Sequence, residues 1–169
     1  TLVQPGQEIL AETNSHVVRA ELGAAATFSG ITTRTWLAPS GLLHASDPLA
    51  IAAPDAGPYL VSTAAIAIEN THNFGGGTIQ PIEEIAKITR QKKVIFHTDA
   101  VDSVGIVPID VQKMGVDLLS FASNTFYGPT GIGGLYVRRG IMVWPLLDGG
   151  VQENNKRAGT ENLIGIIGM

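Results

Sequence analysis

The sequence predicts an α/β fold, a central and mostly parallel β-sheet with helices on both faces. Three observations predict it. Short apolar runs suited to buried strands alternate with helix-like stretches along the chain. The connections between successive strands are too long for hairpins, as parallel pairing requires. The stretch from Asp117 to Gly134 runs from a strand into small polar residues and then a glycine-rich loop. That is how α/β proteins present reactive groups at the carboxyl end of a strand.

In chain order, a Pro5-Gly6 turn precedes a first strand, Glu8 to Glu12. Thr13, Asn14 and Ser15 are N-cap candidates for one alanine-rich helix, His16 to Ser29, which Gly30 ends. Ile31 to Leu37 alternates as a strand does. Pro39 to Pro58 is the loosest part, with four prolines and a short helix expected near Pro48 to Ala53. Tyr59 to Ile68 is a long apolar run, read as a central strand, and a glycine-rich loop, Glu69 to Gln80, follows. Pro81 suits the first turn of a helix over Ile82 to Gln91. Val94 to Thr98 is the next buried strand, ending on Asp99. A short helix, Val111 to Met114, leads through Gly115 to the strand that opens at Asp117, and Leu135 to Val137 forms a last strand.

At 169 residues the chain suits one domain. A net charge of −4, with scattered lysines and arginines, gives no electrostatic reason to expect nucleic acid or an anionic membrane as partner. No cysteine is present, which excludes disulfides, a thiolate nucleophile and a Cys-based metal site. A cytoplasmic location is the matching expectation, and no metal site is expected. No run approaches the roughly 18–20 apolar residues of a membrane span. The first residues lack the basic and apolar regions of a signal peptide. The chain enters in mid-fold and stops in an uncapped apolar stretch, Leu163 to Met169. Both ends read as cut from a longer chain, and the apolar tracts predict a homodimer.

Four segments, together with His16, hold the candidate site residues. His97-Thr98-Asp99-Ala100 ends a buried strand, and Asp99 is placed either to face a ligand or to cap the next turn. Ser123-Asn124-Thr125-Phe126-Tyr127-Gly128-Pro129 breaks out of the next strand. Together, F-Y-G-P-T-G-I-G-G-L-Y-V-R-R-G and I-F-H-T-D-A-V-D-S-V-G-I-V-P-I-D resemble the cofactor site of cysteine desulfurases, in the class V aminotransferase family. These are fold-type I enzymes that use pyridoxal 5′-phosphate (PLP). The resemblance implies a PLP-transferase large-domain core. It gives Asp99 the cofactor's pyridine nitrogen, His16 the ring face, and Ser123 and Asn124 the cofactor loop. Thr125 stands where the family has the lysine that holds PLP as a Schiff base. A threonine can neither form that bond nor return a proton. Asp102 stands where the family commonly has a glutamine at the ring hydroxyl, and an acid there would repel a phenolate oxygen.

Arg157-Ala158-Gly159-Thr160-Glu161-Asn162 resembles the desulfurase segment R-S-G-T-E-N. The resemblance implies that Arg157 and Thr160 reach cofactor phosphate, the threonine across the dimer. A polar surface loop is the plainer alternative. Glu69-Asn70-Thr71-His72-Asn73, with Gly76-Gly77-Thr78, resembles threonine aldolases, as does the stretch from residue 5 to 78. There the resemblance places His72 near a substrate hydroxyl; the alternative is a loop whose polar groups satisfy its own backbone.

The chain thus reads as one PLP-transferase-like large domain, aldolase-like over residues 1–78 and desulfurase-like over 79–169. The implied function is PLP chemistry on an amino-acid substrate, impaired at Thr125, with a sulfur-acceptor protein as partner by family analogy. Two alternatives stand beside it, a threonine aldolase-like lyase and a non-catalytic scaffold that binds partners.

Overall fold

The computed structural model describes residues 2–169. Its core is a six-stranded sheet in the order β2-β1-β3-β4-β5-β6. The strands are β1 (Glu8–Glu12), β2 (Thr32–Trp36), β3 (Thr63–Glu69), β4 (Ile95–Asp99), β5 (Leu118–Ala122) and β6 (Gly133–Val137). All neighbouring pairs are parallel except β5 with β6, which returns antiparallel at the edge. Buried Glu8 links three strands: its carboxylate accepts from Thr63 on β3 and from Arg34 on β2.

One sheet face carries the main core. Leu10, Ile66, Ile68 and Phe96 are buried there against Ile82 and Ile85 of helix α4 (Ile82–Lys92). Burying a side chain of this size contributes about 1.5–3 kcal/mol. The helices, in chain order, are α1 (His16–Arg19), α2 (Ala24–Ser29), α3 (Ser46–Ile51), α4 (Ile82–Lys92), α5 (Val111–Met114), α6 (Gln152–Asn155) and α7 (Leu163–Gly168). The opposite face buries a smaller cluster of Val3, Ile9, Ile31 and Ala65, with α2 lying over it. Among the described residues no helix is long and apolar enough to cross a membrane.

Two elements differ from the sequence expectation. The single helix over His16 to Ser29 is two helices, because Leu22 and Gly23 both take left-handed φ values, 52° and 73°. The long strand over Tyr59 to Ile68 begins only at Thr63, and Tyr59 and Leu60 are exposed. β1 starts at Glu8, whose partner on β3 is Thr63, so earlier residues have no strand to pair with. At the start of the last helix, the Asn162 side chain accepts from Gly165 N of α7.

Candidate functional site

Three neighbouring parallel strands each end on an acid: Glu12 on β1, Glu69 on β3 and Asp99 on β4. Glu69 and Asp99 are register partners, and so are Ala67 and His97 two residues earlier. Side chains two apart along a strand share a face. These four therefore lie on the sheet face opposite Ile66 and Ile68, the face that α2 covers.

Above this strand edge lies a cleft of about 360 Å³, whose lining includes His16, Glu21, Glu69, Asn70, Asp99 and Asp102. Ser15 begins α1, its hydroxyl donating to the Glu12 carbonyl at 2.7 Å, and so brings His16 to the strand end. His16 N donates to Glu69 Oε2 at 2.5 Å, and His16 Nδ1 lies 2.7 Å from Glu21 Oε1. Asn73 N holds the other oxygen of Glu69 at 2.7 Å. Asp99 Oδ1 accepts from Val101 N at 3.0 Å. No lysine or arginine lines this cleft.

A second chamber of about 420 Å³ opens under α2 and shares Glu21, Glu69 and Asp99 with the first. Ala67 and His97 line it from the sheet, and Ala24, Ala25 and Phe28 line it from α2. His97 Nε2 lies 3.1 Å from Ser120 Oγ. Burial pushes the His97 pKa below its usual value, and the Asp99 carboxylate opposes that shift in part.

The other expected site residues fall elsewhere. His72 is buried behind the cleft, with Nε2 3.0 Å from Glu12 Oε2 and Nδ1 3.7 Å from Glu69 Oε1. Gly75 packs close to its ring: a Cβ there would sit 2.6 Å from His72 Cδ2. Glu12 also holds the backbone N–H groups of Asn14 and Ala38, at 2.5 and 3.1 Å. Ser123 is buried and its hydroxyl donates to the Pro129 carbonyl, closing its own loop. Asn124 is exposed at the start of a 3₁₀ turn, Ser123–Phe126. Thr125 Oγ1 lies 2.6 Å from the Val101 carbonyl and 2.8 Å from that of Ala122, so its hydroxyl is tied to backbone. Arg157 and Thr160 are exposed, and neither lines a chamber.

His16, Asp99 and Asp102 thus meet in one cleft, without Asn124 or His72. Sequence reasoning assigned no role to Glu12, Glu21, Glu69 or His97. Glu12 and Glu69 carried a signal, an acid as the last residue of an apolar strand, as Asp99 is. Glu21 carried none, because it reaches the cleft only through the break between α1 and α2. Among the described residues no group of three or more His, Cys, Asp or Glu could hold a metal ion.

Comparison with known proteins agrees with this architecture. Residues 59–169 match the family of class-V aminotransferases, and residues 1–102 match the beta-eliminating lyases. A cysteine desulfurase IscS of Dictyoglomus turgidum is 58% identical over 93 residues, 55% of this chain and 24% of that protein. The solved structure of SspA in complex with cysteine superimposes with a TM-score of 0.76 at 33% identity, covering 99% of this chain and 46% of that one. A NifS-like protein superimposes with a TM-score of 0.78 at 30% identity, covering 96% and 43%. The chain spans about a quarter of the length of the curated relatives it matches.

Proposed function

Since the chain belongs to the class-V aminotransferase family, and through residues 1–102 to the beta-eliminating lyases, we propose that it is the core of a cysteine desulfurase-like protein whose chemistry on an amino acid is impaired at Thr125. The observation that carries this reading is the Thr125 hydroxyl bound to the Val101 carbonyl, where the family's lysine would stand. Class-V aminotransferases and cysteine desulfurases depend on PLP. Part of this cleft suits that cofactor: Asp99 can face a protonated pyridine nitrogen, and the His16 imidazole shares the cleft with it.

The remaining residues do not fit it. Four carboxylates, those of Glu21, Glu69, Asp99 and Asp102, line the cleft without a lysine or arginine, so a dianionic phosphate meets no counter-charge there. All five lysines are exposed and none lines either chamber. No catalytic step is therefore assigned to the cofactor on these residues. What the chain's own groups do is narrower. Asp99 and His16 offer a carboxylate and an imidazole to a ring, and Glu69 holds His16 in place.

For the whole protein, the proposal includes an amino-acid substrate, a homodimer, a sulfur-acceptor partner and a cytoplasmic location. The match of residues 1–102 to beta-eliminating lyases favours a second reading, an aldolase-like lyase. The turn of His72 toward Glu12 weighs against it. A non-catalytic scaffold is the limiting case of the first reading.

The test is to mix the protein with PLP, record its absorbance, reduce with borohydride and weigh it. The expected result is no stable new band near the visible and no stoichiometric gain in mass. A stoichiometric adduct confined to one lysine, above the scattered labelling of exposed amines, would overturn the assignment of impairment.

A further inference from the structure

We propose that Glu12 and His72 are positioning residues for the cleft: their buried pair fixes the Glu69 carboxylate and, through it, the place of His16. Where His16 concerns a cofactor ring, this deepens the function proposed above and rests on it; the placement of Glu69 does not.

The His72 ring stands between two carboxylates that end neighbouring strands, Glu12 of β1 and Glu69 of β3. Its Nε2 is 3.0 Å from Glu12 Oε2, and its Nδ1 is 3.7 Å from Glu69 Oε1. The side chains of His72 and Glu12 are only 2% and 3% exposed, and neither lines the cleft. Among the described residues, the buried His72 Nδ1 has no hydrogen-bond partner. Buried polar atoms are rarely left unmet, so this one calls for an explanation, and Glu69 supplies it. The gap of 3.7 Å is too long for a hydrogen bond, yet short enough for charge to act where water is excluded.

The ring is held on its backbone as well. His72 N donates to the Thr78 carbonyl and Gly77 N to the His72 carbonyl, both at 2.9 Å, which closes the glycine loop around it. Gly75 leaves no room for a Cβ against the ring. Glu12 is fixed in turn, Ala38 N donating to its Oε1 and Asn14 N to its Oε2. Glu69 passes this rigidity outward, one oxygen accepting from Asn73 N and the other from His16 N. Those two N–H groups belong to the glycine loop and to the first residue of α1. The sequence resemblance places His72 at a substrate, whereas the geometry points to a post one side chain behind the cleft wall.

The experiment is hydrogen–deuterium exchange followed by NMR on the protein without PLP, comparing His72→Phe and His72→Gln with the unaltered chain. His72→Phe keeps a flat ring and removes both nitrogens. In it the His16 and Asn73 amides should lose at least about tenfold in protection. The amides of Ile66 and Phe96, buried in the sheet, should keep theirs. The His16 imidazole resonances should shift in the same variant. His72→Gln, whose side-chain amide can still donate to Glu12, should restore part of the protection. If His72→Phe does not fold, Glu12→Gln is read in its place at Asn73, which the Glu12 carboxylate reaches through His72. Unchanged protection of Asn73 in a folded variant, an equal loss throughout the sheet, or no recovery with glutamine at position 72 would overturn the proposal. The borohydride result with PLP reads Thr125 separately, so either proposal can fail without the other.

Discussion

Glu69 and Asp99 are register partners at the carboxyl ends of β3 and β4, and both carboxylates enter the same cleft. Asp99 also acts on His97, two residues back on its own strand, where its charge opposes the effect of burial. Removing that charge leaves burial unopposed. Asp99→Asn is therefore expected to lower the His97 pKa further, read from the imidazole resonances in an NMR pH titration. An upward move would contradict the assignment.

The same histidine gives the fold a pH dependence. Its pKa in the folded chain lies below the ordinary 6.5, so the folded state favours the neutral ring. The stability this contributes is present above about pH 6.5 and is lost as pH falls through the lower folded value. Urea midpoints measured from pH 8 downward should decline below that point. The decline should be shallower in His97→Gln, which keeps a polar partner for Ser120.

Thr125 ties the 3₁₀ turn to the loop after β4. Thr125→Val keeps the shape and deletes the hydroxyl, and should cost about 1 kcal/mol in urea unfolding. Thr125→Lys puts an amine at the position where the related enzymes have theirs. With equimolar PLP and borohydride, peptide mapping by mass spectrometry should find an adduct at position 125 of the variant and none in the same peptide of the unaltered protein. Cysteine turnover should stay absent in both, because the chain has no acceptor thiol.

His72 and Glu12 form a buried pair that also anchors two backbone N–H groups. Glu12→Ala strands all three donors and should cost about 3–5 kcal/mol. Gly75→Ala presses a methyl group into the His72 ring and should cost about 1–3 kcal/mol. Chemical denaturation checks both, and a loss below half a kcal/mol for Glu12→Ala would show that the pair does not bear on folding.

Much of this was legible in the chain itself. β1 and α5 occupy the expected residues, Gly30 ends α2 in a left-handed conformation, and Asp99 closes its strand at the cleft. These features are local: apolar period, a cap, a glycine that tolerates positive φ. The absence of a lysine beside Tyr127 was equally plain, because it is a matter of residue identity.

What sequence alone could not decide depended on neighbours far along the chain. Whether Tyr59 to Ser62 paired as strand depended on where β1, some fifty residues earlier, began. Whether His72 faced a ligand or the core depended on Glu12, sixty residues away. The joining of Glu21, Glu69 and Asp99 into one rim required strand register, which no single segment encodes. Local propensity is written in adjacent residues, while pairing and side-chain partnership are decided by which segments exclude water together.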